Sequence, residues 1–552
     1  MNKPVEIDEA VQAPLHDGDY HEAIVIGAGM CGLYQLHRLI GEGIDAIALD
    51  ANPDVGGTWY NNRYPGCRFD SESYTYGFKF SETLLREWDW KEQFSPQPDN
   101  LAYTRFVANR LGLRPHIAFN AMVSAAHFDE AETLWRLALA DGRSVSCRYL
   151  MTAVGGLSAP TLPRVPGISD FEGPWFHTYN WPHDRVELEG KRVGVVGTGA
   201  TGVQLIAEIA DKVGELFVFQ RRPNWCAPLN NKPITPQEMD AIRARFDEIF
   251  AICDRTPGGF VHEPDRRGFY SVSREERLAL WERLYTEPGF GIWLQNFREI
   301  FVDEQANAEF SDFIASKIRQ RVNDPATAEK LIPKDHGFGI QRVPLETRYY
   351  EAYNRDTVHL VSLLEEPIER VTRTGIETGK QHYPLDLIVY ATGFDAVTGS
   401  FDRIDFRGRG GLSLKQKWRD GPVTYMATMV HGFPNLFLLV GPQSAGSSTN
   451  FPRAIELCVD WTTELLQHLR HSGKARMEPS EAAEEAWCQE CMDTVNKMLL
   501  RKARSWFTGY NSNVEGHSGK KPRPYIWAGG TPKYRERLRE VAEKGYQGFD
   551  LR

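Results

Sequence analysis

No apolar run in this chain approaches the about 18 residues needed to cross a bilayer. The first 20 residues are polar and acidic and carry no apolar h-region, so no secretory signal is expected. Cysteine is scarce, with 8 in 552 residues, too few for a disulfide framework. Positive charge is not in excess either. Lys and Arg total 64 against 74 Asp and Glu, a formal net charge of −10, and no basic stripe marks nucleic acid as a partner. Low-complexity segments are missing. So is a metal-ligand set: Cys488-Gln489-Glu490-Cys491 has no second CxxC to complete a four-cysteine site. It lies in a helical stretch without Pro or Gly, where positions three apart simply share a face. What remains is an ordinary globular composition, 41% hydrophobic and 25% charged, on a chain long enough for two to four domains. The expectation is a soluble cytoplasmic enzyme without metal or membrane partner, a monomer or weak homo-oligomer.

What is present is a motif that occurs twice. Ala23-Ile24-Val25-Ile26 reads as a buried strand, Gly27-Ala28-Gly29-Met30-Cys31-Gly32 as a glycine turn, and Leu33, Leu36, Leu39 and Ile40 as one face of a helix. Gly27 permits the tight turn, Gly29 admits a pyrophosphate, and Gly32 lets helix pack on strand. The next apolar run ends in Asp50, 18 residues past Gly32, where an acid accepts from a ribose diol. Val193-Gly194-Val195-Val196 and Gly197-Thr198-Gly199-Ala200-Thr201-Gly202 repeat the strand and turn, and Val203, Leu205, Ile206 and Ile209 begin the helix. Here the following strand ends in Gln220-Arg221-Arg222, with no acid. An acid would repel a 2′-phosphate, whereas arginine pairs with it. The first site therefore suits FAD and the second NADPH. Two dinucleotides on one chain imply electron transfer between them.

The predicted fold is α/β, with two Rossmann-like dinucleotide-binding domains. Residues 1–20 read as a flexible arm and 21–160 as the first part of the FAD domain, including antiparallel strands around 134–139. Residues 161–182 read as a linker and 183–234 as the first part of the NADP domain. Residues 235–335 break the α/β rhythm and predict a helical insertion. Residues 336–384 return to the NADP domain, and 385–552 close the FAD domain, with a mobile loop near 500–520.

Between the two glycine turns lies Phe171-Glu172-Gly173-Pro174-Trp175-Phe176-His177-Thr178-Tyr179-Asn180-Trp181-Pro182. It fits Phe-x-Gly-x-x-x-His-x-x-x-Trp-Pro, the signature of type I Baeyer–Villiger monooxygenases. The stretch from Gly56-Gly57-Thr58-Trp59 to Arg68-Phe69-Asp70 fits a second family motif. Ala391-Thr392-Gly393-Phe394-Asp395 resembles a third, shared by class B flavin monooxygenases. From about residue 20 to its end the chain resembles this family, and within it the bacterial cycloalkanone and bulky-ketone enzymes.

The resemblance implies FAD and NADPH as cofactors, and O2 and a ketone as substrates. It implies oxygen insertion through a C4a-peroxyflavin and a tetrahedral adduct to give an ester or lactone, with sulfoxidation as a side activity. Arg342 falls where the family has its catalytic arginine, and Asp70 where it has the paired carboxylate. An arginine suits two successive anions because its guanidinium stays charged and forks. Phe171, Gly173, His177 and Trp181 mark the signature, with His177 expected to act through position and not as a proton-transfer base. The family places Gly27, Gly29, Met30, Gly32, Asp50, Thr58, Trp59, Asp70, Tyr76, Val123 and Phe451 along FAD. It places Arg68, Gly197, Thr198, Gly199, Ala200, Thr201, Gly202, Gln204, Arg221 and Arg222 along NADPH, and Trp506 on a loop that closes over it.

Two departures stand out. Gln341 stands where many relatives have a lysine, which removes a cation for the 2′-phosphate and predicts weaker NADPH preference unless Arg222, at a position often Thr in the family, compensates. Asn61 replaces a tryptophan. Small polar residues in 441–450 predict a roomy pocket wall. Two rival readings share both glycine turns: a flavin monooxygenase acting on nitrogen or sulfur, and a catalytically silent FAD/NADP-binding redox sensor.

Overall fold

Ala23 to Ile26 lie buried on both faces, as a near-continuous apolar run in a parallel sheet requires. A computed structural model describes residues 11–444, 449–517 and 524–552. Residues 1–10 of the expected arm, Ala445 to Ser448 of the expected pocket wall, and Gly519 of the expected loop lie outside the described residues.

The first sheet has eight strands among the described residues. Its order is 405–407, 123–129, 134–139, 144–152, 20–26, 46–49 and 117–118, with Leu436–Leu438 also pairing with 144–152. Strands 20–26, 46–49 and 117–118 run parallel. Strands 123–129, 134–139 and 144–152 form the antiparallel part that their alternating pattern predicts. A second, fully parallel sheet has the order 358–362, 215–220, 192–196, 387–390 and 175–177. Each sheet carries one glycine turn and its helix, Met30–Gly41 on the first and Ala200–Ile209 on the second.

Residues 236–331 form helices joined by loops, from Pro236–Arg243 to Pro325–Leu331, with no β-strand among them. Thr235 and Ser273 open their helices with reciprocal capping boxes, and Asp303 and Asp324 accept first-turn N–H bonds. The insertion bridges the two units. Met239, Phe246 and Phe250 join the apolar cluster of the first-turn helix, while Trp281, Phe310 and Phe313 join that of the second.

Three boundaries differ from expectation. Residues 13–19 are tied down, not loose: Ala13 N–H donates to the Ile117 carbonyl, Gly18 N–H to Ser144, and Asp17 accepts from Ser144. These bonds satisfy backbone groups of the segment, which composition does not reveal. The expected linker contains a strand, because Trp175–His177 pairs with Leu387–Tyr390 as the edge of the second sheet. Leu387–Tyr390 lies between that edge and Arg192–Val196, so the return to the first unit comes after residue 390 and not at 385. A three-stranded antiparallel sheet, Ile368–Thr372, Gly375–Thr378 and His382–Pro384, was not anticipated.

Candidate active site

The two glycine turns agree in atomic detail. Gly27 (φ +105°) and Gly197 (φ +107°) adopt a conformation that side chains disfavour. A Cβ on Gly27 would lie 2.5 Å from the Ala153 carbonyl oxygen, and one on Gly197 2.5 Å from that of Ala391. Gly32 and Gly202 press on the carbonyls of Gly27 and Gly197, where a Cβ would sit 1.8 and 2.3 Å away. The helices that follow begin at Gly29 and Gly199, and no side chain caps either. That contrasts with the Thr, Ser and Asp caps of the insertion. Two open helix N-termini, each behind a glycine turn, fit the pyrophosphates of two dinucleotides. Space beside Gly199 is free: a Cβ there meets nothing within 4 Å.

Asp50 ends the second strand, buried, and burial raises its carboxyl above the usual range. Its Oδ2 accepts from Ala28 N–H at 2.6 Å and its Oδ1 from Asn52 N–H at 2.8 Å, so it braces the turn it faces. Trp59 Nε1 donates to the Tyr76 hydroxyl at 3.1 Å, and Tyr76 stacks on Phe69 at 4.1 Å between ring centres. Met30 and Val123 are buried in the first unit. Thr58 is exposed, and Phe451 is 47% exposed at the start of helix Phe451–His471.

Arg342 and Asp70 meet. Arg342 Nη2 donates to Asp70 Oδ2 at 2.8 Å, and Leu345 N–H donates to the same oxygen at 3.3 Å. Arg342 Nη1 donates to the Val343 carbonyl, and its guanidinium carbon stands 5.0 Å over the Phe290 ring. Burial raises the Asp70 carboxyl and Arg342 opposes that shift. Asp70 Oδ1 is buried without a hydrogen-bond partner, an acceptor left unused. The pair joins the first nucleotide unit to the chain returning from the insertion.

The signature residues are packed. Phe171 and Trp181 are 6% and 7% exposed. Gly173 is required by contact, since a Cβ there would strike the Phe171 ring at 2.7 Å. His177 Nδ1 accepts from Tyr179 N–H at 3.1 Å, and Nε2 lies 3.1 Å from the Gly393 carbonyl. Those partners select the neutral tautomer protonated on Nε2. Burial lowers the imidazole to about 4. Both nitrogens are used, and none is free to take a substrate proton.

The family model described as flavin-binding monooxygenase-like matches residues 21–253. The chain is 44% identical to the 2-oxo-Δ3-4,5,5-trimethylcyclopentenylacetyl-CoA monooxygenase of Pseudomonas putida, over 96% of this chain and 98% of that one. It is 40% identical to the phenazine N-monooxygenase of Lysobacter antibioticus, over 97% and 98%. It is 38% identical to a Baeyer–Villiger monooxygenase of Pseudooceanicola batsensis, over 95% of each. The crystal structure of OTEMO in complex with FAD and NADP superposes with a TM-score of 0.93 at 44% identity, covering 97% of this chain and all of that one.

The chain belongs to the type I Baeyer–Villiger monooxygenase family.

The segment that follows Trp506 contacts the loop after strand Leu387–Tyr390 and the two arginines after strand Glu215–Gln220. Asn511 donates to the Phe394 carbonyl at 2.8 Å and Asn513 to that of Thr392 at 3.1 Å. Ser512 accepts from Arg221, and Arg222 stands 5.6 Å over the Tyr510 ring. Trp506 itself is partly buried beside Phe507. Thr198 donates to the Arg222 carbonyl at 3.1 Å. Gln204 donates to the Arg68 carbonyl at 2.9 Å and accepts from Tyr64 at 2.8 Å. Arg68 is held by Glu92 at 3.1 Å and the Phe94 carbonyl at 3.0 Å. Asn61 donates to the Gly57 carbonyl at 3.1 Å and closes that turn.

Sequence reasoning missed Tyr510, Ser512 and Asp335, which contact the two arginines from distant segments. No spacing in the sequence marks them, because each contact depends on how the chain folds back.

Proposed function

We propose that this protein is an FAD-containing, NADPH-dependent monooxygenase that inserts one oxygen atom of O2 beside a ketone carbonyl, giving an ester or lactone, in the cytoplasm. The observation that carries the reading is the Arg342–Asp70 pair, held at 2.8 Å between units with two open helix N-termini. When bound, FAD supplies the centre that activates O2 and NADPH supplies the hydride.

The chain's own residues then have separate tasks. Arg342 stays protonated and is already oriented by Asp70 and Val343. It meets negative charge developing on a substrate oxygen without reorganising, the form of electrostatic help that contributes most to catalysis. Asp70 is a positioning residue. His177 fixes the signature strand against Gly393 and moves no proton. The Trp506 segment excludes water from the second site. Sulfoxidation is part of the proposal as a side activity.

A second reading has support in the phenazine N-monooxygenase relative, whose identity to this chain is close to that of the ketone-type relatives. One assay separates them. A ketone and a tertiary amine are offered together with NADPH, and products are resolved by gas chromatography. Ester or lactone formation supports the proposal. N-oxide without ester overturns it in favour of nitrogen oxygenation, and no oxygenated product at all favours a silent redox sensor.

A further inference from the structure

By register Gln220 takes the place of the first unit's Asp50, and Arg222 follows two residues on with its charge already engaged. Its Nη1 lies 3.3 Å from Asp335 Oδ2. Asp335 is anchored in turn, with its Oδ1 2.7 Å from His336 Nδ1. The His336 side chain is 5% exposed, and Trp225 Nε1 donates to its carbonyl at 2.9 Å, so the carboxylate is mounted on a fixed wall. The His336 hydrogen bond lowers the Asp335 carboxyl to about 2 against the opposing effect of burial, with the charges of His336 and then Arg222 adding to the shift. It is therefore an anion across any working pH. Two neighbouring positions do not offset it: Lys334 pairs with Glu329 at 2.6 Å and position 341 is a neutral Gln, so Arg221, hydrogen-bonded to the neutral Ser512 hydroxyl, is left to meet the phosphate.

A phosphate arriving beside Arg222 meets a like charge and a competitor for the same guanidinium. A ribose 2′-hydroxyl meets neither, and a carboxylate accepts its hydrogen bond. We infer that Asp335 is a specificity-determining residue that weakens the preference of the second nucleotide site for a 2′-phosphate, by holding Arg222 in an ion pair the phosphate must displace. The inference deepens the proposed function and rests on its placement of NADPH at the second glycine turn.

The test is binding to the FAD-loaded enzyme, followed by calorimetry with 2′,5′-ADP and 5′-AMP as probes. Asp335→Asn keeps the shape and removes the charge. The Kd for 2′,5′-ADP is expected to fall about fivefold, the scale of a half-exposed charge interaction. The Kd for 5′-AMP should move less than about twofold, and the gain should shrink as salt is raised. The NADPH-to-NADH ratio of kcat/KM should rise in parallel. Asp335→Ser is a second charge-removing variant that makes the same prediction if the amide disturbs His336. In an Arg222→Ala background the gain should largely disappear. Unchanged or weaker 2′,5′-ADP binding in both variants, or equal tightening of both probes, overturns the inference. Arg221→Ala tests the underlying placement separately. If it leaves 2′,5′-ADP binding intact, the 2′-phosphate does not sit against Arg221, and the placement on which the inference rests fails whatever Asp335 does.

Discussion

Arg342 donates to Asp70 at 2.8 Å across 272 positions of sequence. The contact ties the loop between helices Thr58–Asn61 and Ser73–Tyr76 to the chain leaving the insertion, so the guanidinium is set before any ligand arrives. Asp70 is 4% exposed, which makes the pair structural as well as electrostatic.

Arg342→Ala is expected to abolish oxygenation while FAD stays bound. Losing one fixed stabiliser costs about 10²–10³ in rate. The variant also leaves Asp70 buried without its counter-charge, a loss of about 3 kcal/mol or more for a pair of this kind. Adding Asp70→Asn should recover much of the melting temperature and none of the oxygenation. Recovery of both, or product at near wild-type rate in the single variant, would mean the arginine only holds the fold.

Arg221→Ala should raise the KM for NADPH strongly and that for NADH little. Only NADPH presents the 2′-phosphate, and a charge-assisted hydrogen bond contributes roughly 1.5–3 kcal/mol. Equal losses for both cofactors in steady-state assays would reassign the arginine to its contact with Ser512.

His177 gives the chain a defined acid sensitivity. Its folded-state pKa, about 4, lies below the unfolded value of roughly 6.5. Its contribution is therefore complete above pH ~6.5 and is lost as pH falls towards 4, about 3 kcal/mol in all. Denaturant midpoints of His177→Gln between pH 7 and 4 should show a flatter slope than wild type. The same slope in both proteins would place the acid sensitivity elsewhere.

Cys488→Ser with Cys491→Ser should leave turnover unchanged. Both thiols are free, and burial raises the pKa of each. Cys488 Sγ rests against Gln443 and the Thr424 carbonyl, in a helix and not on an exposed turn. A folded but inactive double variant would revive a disulfide-reductase reading.

Trp506→Ala should raise NADPH consumption without matching ester formation, with hydrogen peroxide as the excess product. The segment carrying Trp506 is held by Asn511, Ser512 and Asn513 against the Phe394 and Thr392 carbonyls and Arg221. The ratio of ester to NADPH oxidised, in a saturating ketone assay, reads this directly. A ratio equal to wild type would remove Trp506 from the cover.

Both nucleotide units were legible because glycine turns advertise backbone geometry locally. Gly27 and Gly197 each combine a positive φ with a carbonyl 2.5 Å from any added Cβ, and no other residue fits. The helical insertion showed itself by a break in the α/β rhythm and by helical period. The strand Trp175–His177 did not, since three residues ending in a signature carry no pattern of alternation. Its role is set by Leu387–Tyr390, more than 200 positions later. Arg342 and Asp70 were found by resemblance, and composition alone gives no reason to pair them. The Asp335 contact was illegible for a different reason: an acid among charged loop residues looks solvated until Arg222 is seen beside it.

The account turns on oxygen reaching a ketone. The direct measurement is turnover of a cyclic ketone with NADPH under oxygen-18 gas, with the product analysed by mass spectrometry. The account predicts a lactone carrying one heavy oxygen per NADPH consumed. Ketone recovered unchanged while NADPH is oxidised, or a labelled N-oxide formed from an amine in its place, would contradict it.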